Sequence, residues 1–216
     1  MRSSAKFGGR LTSQAGFTLA EMVVVLAIIG VVAGIAIPPL SRTIDSARLK
    51  GASQTLAAIY QDARLRATQN NQTYEIIVSP VGVSPAQACV DLDGDGQCGA
   101  GDPSTAFAGK VTLNNNGVPQ LLTQAVLGFA PRDTASSVMH DQQDDLVPGL
   151  AWSGLGVPCE KPTAASRCNS VGWVQYLQFQ RDNGEILYSA VTVSPTGRVK
   201  TWVFNNTSGN GNGSWL

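Results

Sequence analysis

A long run of apolar residues close to the amino terminus is the strongest feature of the hydrophobic pattern. From Met22 to Ser41 the sequence contains no charged side chain. Twenty helical residues span roughly 30 Å, which is the thickness of a bilayer core. The run is longer than the apolar region of a secretory signal peptide, and Ile37-Pro38-Pro39-Leu40 stands where a small-x-small cleavage site would follow. The pattern therefore predicts a membrane-spanning helix.

A second helical pattern follows this run and extends to about residue 70. Pro38-Pro39 is expected to bend or interrupt the helix, because proline removes a backbone donor and clashes with the preceding turn. Beyond the prolines, apolar residues recur at helical spacing, which predicts that an amphipathic helix resumes and ends at the turn-prone Asn70-Asn71. The recurring residues are Ile44, Ala47, Gly51 or Ala52, Leu56, Ile59, Ala63 and Ala67.

The pattern changes to that of β-strands after residue 70. We predict strands at 73–79, 108–113, 120–127, 173–180, 185–194 and 198–204. Turn signals at Arg181-Asp182-Asn183-Gly184 and Pro195-Thr196-Gly197 join the last three strands into an antiparallel meander, which would bury one face against the amphipathic helix. The stretch 130–167 is expected to be a long surface loop. Residues 205–214 are expected to be mobile, with Trp215-Leu216 as either a docking anchor or a frayed end.

Composition and charge agree with an exported, β-rich chain. Only 14% of the 216 residues are charged, against about 25% in ordinary soluble domains. The first sixteen residues carry three cations, Arg2, Lys6 and Arg10, and no acid. Without them the chain has twelve basic and fifteen acidic residues, a net charge of −3, so no large basic surface for nucleic acid is implied.

Four cysteines form two close pairs in the sequence. Cys89 and Cys98 are nine residues apart, and so are Cys159 and Cys168. An even number in two such pairs predicts two local disulfides in an oxidising compartment. The alternative of a zinc site lacks a Cys-x-x-Cys pattern. Four cysteines allow three pairings, and the sequence does not select among them.

The residues before the apolar run carry a specific motif. Gly16-Phe17-Thr18-Leu19-Ala20-Glu21 follows the basic leader and leads directly into the apolar run. A carboxylate beside such a run is costly in lipid and usually has a partner. The motif resembles the processing site of type IV pilins and pseudopilins. The resemblance implies that a prepilin peptidase cleaves after Gly16 and methylates the new amino terminus at Phe17. It also implies that Glu21 pairs with the amino terminus of a neighbouring subunit and sets the register of assembly.

This resemblance implies an α+β type IV pilin fold, in which a long N-terminal helix packs on antiparallel sheets. Its parts are a leader (1–16), a transmembrane helix half (17–40), an amphipathic half (41–70), a β-rich periplasmic domain (71–204) and a flexible tail (205–216). The implied location is the bacterial inner membrane, with a single pass, and then the pilus or pseudopilus. The implied partners are other major and minor pilins or pseudopilins. A plain membrane-anchored periplasmic protein is the alternative.

The carboxyl-terminal third is similar to that of the GspH/FimT family of minor pilins and pseudopilins. The likeness lies in Val191-Thr192-Val193-Ser194-Pro195-Thr196-Gly197-Arg198. It implies a subunit that initiates or caps a type IV pilus or a type II secretion pseudopilus. Arg198 and Lys200 are also similar to a Gly-Arg-x-Arg motif with which some minor pilins bind DNA, although lysine lacks the bidentate guanidinium. DNA binding during natural transformation is therefore the alternative function.

An acidic, glycine-rich segment resembles the first half of an EF-hand calcium loop. The residues at the ligand positions are Asp91, Asp93, Asp95, Gln97 through its carbonyl, and Asp102. The last of these is Asp in place of Glu, and no helices flank the loop. The segment therefore indicates either a structural Ca²⁺ site or an acidic turn closed by a disulfide.

The sequence does not support an enzyme. It contains no Gly-x-Ser-x-Gly, no P-loop and no His-Glu-x-x-His. The single histidine, His140, stands among Asp141, Asp144 and Asp145, which we interpret as a solvated loop. Neither a catalytic residue nor a further cofactor is predicted.

Overall fold

The computed structural model describes residues 16–78, 85–107, 109–113, 118–129, 131–133, 150–160, 168, 170–205 and 213–216. Side chains are described for all of these except 36–41, 131–133 and 160. The chain divides into two compact units, Met1–Thr43 and Ile44–Leu216. The first helix, α1 (Leu19–Asn70), contributes to both units.

In the first unit, α1 begins directly after Thr18 and every described side chain from residue 16 to residue 35 is exposed. The helix is continuous through Pro38-Pro39, so an interruption at that point was wrong, whereas the alternative expectation of a bend stays a prediction. Within the described part of the chain, no helix has both the length and the apolar character needed to cross a membrane. The membrane-spanning half expected from the sequence stays a prediction.

In the second unit, α1 presents a regularly spaced buried face. Leu49, Leu56, Tyr60, Ala63 and Ala67 lie on this face and are each at most 2% exposed. Their spacing of three, four and seven residues places them on one side of a helix, and the small alanines let the sheets approach closely. The helix ends at the predicted place: Asn71 adopts a left-handed φ of 51°, and the N–H of Gln72 donates to the carbonyl of Ala67.

Two sheets pack with this helix. The first contains, in spatial order, β3 (Ser104–Ala106), β2 (Gln87–Asp91), β1 (Tyr74–Val78), β6 (Leu150–Trp152) and β7 (Pro158–Glu160). The second contains β11 (Ser214–Trp215), β10 (Val199–Asn205), β9 (Ile186–Val193), β8 (Gly172–Gln180) and β4 (Val111–Leu113). β5 (Pro131–Asp133) pairs with β8 in parallel, and all the other described pairings are antiparallel.

The predicted meander is confirmed. β8 pairs with β9 from Trp173↔Val193 to Gln180↔Ile186, and β9 pairs with β10. The inner face of β8 joins α1 and the first sheet in one core through Trp173, Leu177 and Phe179. Its outer face is covered as well, because Val174 and Tyr176 pack with Leu122 in a second cluster. The α+β arrangement of a helix on antiparallel sheets is therefore confirmed.

Three expectations for the middle and the end of the chain were wrong. Residues 120–127 contain no strand: α2 (Gln124–Leu127) is a single helical turn, because the N–H groups of Val126 and Leu127 both donate to the carbonyl of Thr123. In the stretch 130–167, the described residues 131–133 and 150–160 include three short strands, among them the fully buried β6. At the end of the chain, Ser214, which was expected to be mobile, pairs with Asn205 of β10. Trp215 and Leu216 also pair with β10, which is the docking anchor that was one of the two alternatives for these residues.

Candidate functional site

The predicted cleavage site lies just outside the first turn of α1. Gly16 and Phe17 are exposed and have no helical structure, and Phe17 is 74% exposed. The carbonyl of Thr18 accepts the first helical hydrogen bond, from the N–H of Met22 at 3.2 Å. The hydroxyl of Thr18 accepts the N–H of Glu21, also at 3.2 Å. Thr18 is therefore the N-cap residue, and the bond between Gly16 and Phe17 is accessible.

Glu21 occupies the third position of α1 and is exposed. Together with Thr18 it forms the Thr-x-x-Glu sequence of a capping box. A carboxylate in the first turn also interacts favourably with the positive end of the helix dipole. Its predicted role in subunit register stays a prediction.

An added Cβ at Gly16 would meet no atom within 4 Å. The fold of the chain itself therefore does not require glycine at this position. A requirement for Gly16 would come from a binding partner that approaches the backbone closely.

Both local disulfides are present, Cys89–Cys98 and Cys159–Cys168, with Cα atoms 5.8 Å and 5.3 Å apart. The first joins the acidic segment, at Cys98, to Cys89 in the middle of β2. The second joins β7 to the residues just before β8. Of the three pairings that the sequence allowed, the structure adopts the local one.

The acidic segment brings three of its carboxylates together. One oxygen from each of Asp91, Asp93 and Asp95 lies within 4.8 Å of the others. Asp91 is 2% exposed and accepts the N–H groups of Gly94 at 2.7 Å and Gly96 at 3.1 Å. Both glycines have left-handed φ angles, 80° and 78°, which a side chain would disfavour. Hard oxygen ligands at this spacing suit a divalent cation such as Ca²⁺.

The two other predicted ligands, Asp102 and Gln97, form hydrogen bonds within the same loop. Asp102 is not part of this group; its two carboxylate oxygens accept the N–H groups of Leu92 at 3.0 Å and Gly99 at 2.7 Å, which closes the loop. Gln97 is exposed, and its N–H donates to Asp95. The structure thus brings three of the four predicted aspartates together, and calcium binding itself stays a prediction.

A neighbouring acid was missed by the sequence analysis. Glu75 on β1 lies directly opposite Asp91 on β2 and is 8% exposed. Both line an open pocket of about 380 Å³ that also includes Tyr74 and Asp93. The signal in the sequence is that a carboxylate, Glu75, stands inside the otherwise apolar strand Tyr74–Val78. The residue pattern of that strand does not show that Glu75 lies beside the acidic segment.

Arg198 and Lys200 are both exposed at the start of β10. The ammonium of Lys200 lies over the ring of Trp202, 3.3 Å from its centroid, and the backbone N–H of Arg198 donates to the hydroxyl of Ser194. A third cation, Arg64 on α1, reaches the same turn and donates to the carbonyl of Gly197 at 2.9 Å. His140, Asp141, Asp144 and Asp145 lie outside the described residues.

Comparison with known proteins identifies the amino-terminal segment. Residues 11–37 match the family model described as the prokaryotic N-terminal methylation motif. Together with a helix packed on antiparallel sheets, this motif supports a structural subunit of the type IV pilin kind. Such a leader implies processing by a prepilin peptidase, assembly with other pilins, and a membrane-anchored or pilus location. No curated protein and no solved structure matches the chain.

Proposed function

We propose that this chain is a minor pilin or minor pseudopilin, which initiates or caps the assembly of a type IV pilus or a type II secretion pseudopilus. The observation that carries the proposal is the coincidence of the methylation motif at 11–37 with a helix that begins two residues after the predicted cleavage site. The similarity of residues 191–198 to the GspH/FimT family supports a minor subunit. The chain has no role as an enzyme in this proposal.

The exposed half of α1 is the assembly surface in this proposal. Large apolar side chains are exposed on all sides from Leu19 to Ile35, at 45% or more of their area. A patch of this size on a folded protein marks an interaction with a membrane or another protein. Before assembly this half lies in the inner membrane, and afterwards it packs against other subunits in the filament.

Glu21 sets the register of that packing. Cleavage after Gly16 creates a cationic amine at Phe17. A carboxylate and an amine of neighbouring subunits attract strongly in a medium of low dielectric, and an unpaired charge there is costly. The pairing therefore favours one stagger between adjacent helices over all others.

The proposal is tested by the mass and the terminal sequence of the mature protein. We expect a chain that begins at N-methylated Phe17. The matched variant is Gly16→Ala, because the added methyl has open space in the fold. It should leave the folding of the globular unit unchanged and abolish cleavage. A mature chain that retains its leader, or that begins elsewhere, would favour a plain membrane anchor.

DNA binding is the second candidate function. Two exposed cations, Arg198 and Lys200, stand near the start of β10 next to the half-exposed Trp202, and cations of this kind contact phosphates. A gel shift at low salt tests it, with both residues changed to alanine. The matched control removes the same charge elsewhere on the surface, at Arg48 and Lys50. No shift by the unaltered protein would end this candidate.

A structural Ca²⁺ in the acidic loop is a separate proposal. It is favoured by the proximity of the three carboxylates of Asp91, Asp93 and Asp95, which would hold the ion while its positive charge offsets their mutual repulsion. We expect millimolar Ca²⁺ to raise the melting temperature relative to chelator, since a ligand that binds only the folded state stabilises it. The double variant D93N/D95N should lose this increase, whereas D182N, an exposed acid elsewhere, should retain it. An unchanged melting temperature would leave the disulfide alone to order the loop.

A further inference from the structure

Thr18 stands between the predicted cleavage site and the helix. Its hydroxyl accepts the N–H of Glu21, and its carbonyl accepts the N–H of Met22. An N-cap residue has non-helical backbone angles, so the helix begins after it and the preceding residues remain outside. The bond between Gly16 and Phe17 is therefore two residues from the first helical residue, Leu19.

The sequence offers no other side-chain cap on the downstream side. From residue 19 to residue 40 the chain has no Ser, Thr, Asp or Asn, which are the residues that cap helices well. On the upstream side stand Thr12, Ser13 and Gly16, and glycine is itself a tolerated N-cap. If the cap at Thr18 were lost, the next favourable start of the helix would lie at Gly16 or before it.

Such a shift would place the bond to be cleaved inside the first helical turn. Peptide groups within a helix use their N–H and C=O in hydrogen bonds to the helix itself, and proteolysis concentrates at exposed, irregular segments. The position of the helix start therefore controls whether a peptidase meets an accessible bond.

We propose that Thr18 is a positioning residue for processing: its hydroxyl caps α1 and thereby keeps the Gly16–Phe17 bond outside the helix. The inference rests on the proposed function, because it concerns the peptidase step that this function requires. It assigns a role in processing to a side chain that the predicted site, Gly16, Phe17 and Glu21, did not include.

The test is the rate of leader removal from the full-length precursor in detergent micelles by a purified prepilin peptidase, followed by mass. Thr18→Val keeps the shape and removes the hydroxyl, and we expect cleavage about fivefold slower, the population shift that loss of an average cap produces. Thr18→Ser and Thr18→Asn retain a capping oxygen and should be cleaved at close to the unaltered rate. Thr55→Val removes a hydroxyl that only bonds the carbonyl of Gly51 within the same helix, and it is the matched control.

A second measurement separates capping from direct recognition by the peptidase. Amide hydrogen exchange at Glu21 should be faster in Thr18→Val and unchanged in Thr18→Asn, in the absence of any peptidase. Cleavage of Thr18→Val at the unaltered rate would overturn the role of Thr18 and leave the proposed function standing. Slow cleavage of Thr18→Asn together with normal exchange would also overturn it, since the peptidase would then be reading threonine itself. An unaltered precursor that is not cleaved would overturn the proposed function.

Discussion

The two halves of α1 differ in how much of their apolar surface the chain itself covers. In the first half, Leu26 is 66% exposed and Ile29 is 57% exposed, and no described side chain from 19 to 35 is buried. In the second half, Leu56 is fully buried and Tyr60 is 1% exposed. One helix thus contains a stretch whose apolar side chains are buried against the sheets of the same chain and a stretch whose apolar side chains remain exposed.

The difference follows from the residue pattern. In the second half, apolar residues recur every three or four positions among polar ones, so that one face of the helix packs on the sheets and the other faces water. The first half is apolar on all sides, and a helix of that kind requires cover around its whole circumference. The described residues of a single subunit provide no such cover, which is why the proposed function assigns it to the membrane and to neighbouring subunits.

The largest expected effect is on the free energy of unfolding, and it is obtained by comparing one leucine-to-alanine substitution in each half of α1. Leu56→Ala should lower the free energy of unfolding by about 2–5 kcal/mol, because it removes a fully buried side chain and leaves a cavity. Leu26→Ala should change it by less than about 0.5 kcal/mol and should instead reduce incorporation into filaments. Denaturant unfolding in detergent and the amount of protein in sheared filaments measure the two effects. Equal loss of stability in both variants would contradict the division of the helix.

The sequence predicted the parts of the fold that have a long, regular pattern. The helix end at Asn70-Asn71 and the meander from 172 to 205 were predicted because helical spacing and hairpin turns extend over many residues. Of the three-residue strands, β4 (Val111–Leu113) lies within the predicted 108–113, but Leu150-Ala151-Trp152 was not predicted, because it is too short for any period, although all three residues are buried. A strand was also predicted at 120–127, but Leu122 packs on the outer face of the second sheet and the segment contains the helical turn α2.

The candidate site was predictable where it depends on neighbouring residues in sequence. Spacing indicated the aspartates at 91, 93 and 95 and the two local cysteine pairs. Glu75 was missed because its relation to Asp91 arises from the register of two strands. Both oxygens of Asp102 accept backbone N–H groups, as do both oxygens of Asp91, which sequence position does not reveal; the place of Asp102 as a calcium ligand stays a prediction. A local sequence pattern does not predict contacts that depend on the register between strands.

A second prediction concerns Tyr60 at the centre of the packed half. Burial raises the pKa of Tyr60 above its ordinary value of 10.0, despite a hydrogen bond with Trp173. Below pH 10 the phenol is protonated in both states, and the stability that depends on it is fully present. Above pH 10 the unfolded chain releases the proton while the folded one keeps it, so stability should fall by up to about 1.4 kcal/mol per pH unit.

Denaturant unfolding at a series of pH values from 8 to 11.5 measures this loss. Tyr60→Phe should abolish most of the loss of unfolding free energy at high pH, because it removes the titrating phenolic proton but keeps the ring. A smaller decline should remain, since burial also raises the pKa of Tyr188. A profile as steep in Tyr60→Phe as in the unaltered protein would show that Tyr60 does not control it.

Arg64 lies at the polar edge of the buried face of this half, and its substitution is expected to change the free energy of unfolding by a smaller amount. Its guanidinium donates to the carbonyl of Gly197 at 2.9 Å and lies 5.3 Å from the centroid of the Trp152 ring. Arg64→Ala should cost about 1–2 kcal/mol of unfolding free energy. Arg48→Ala is the control on the same helix, because its nearest carboxylate is 3.9 Å away and its side chain is 56% exposed. An equal cost for both would mean that the contacts at Gly197 and Trp152 contribute nothing.

The smallest effect is expected on the outward side of the packed half. Asp62 and Arg66 form an ion pair at 2.7 Å, four residues apart on the helix, with side chains 38% and 39% exposed. Solvated pairs of this kind contribute about 0.3–0.5 kcal/mol, and salt screens them. A double-mutant cycle with Asp62→Asn and Arg66→Gln should give a coupling energy of that size, falling further in high salt. A coupling well above 1 kcal/mol would mean that water does not reach this side. Both halves of α1 would then be shielded from water all round, and they would differ only in which partners cover them.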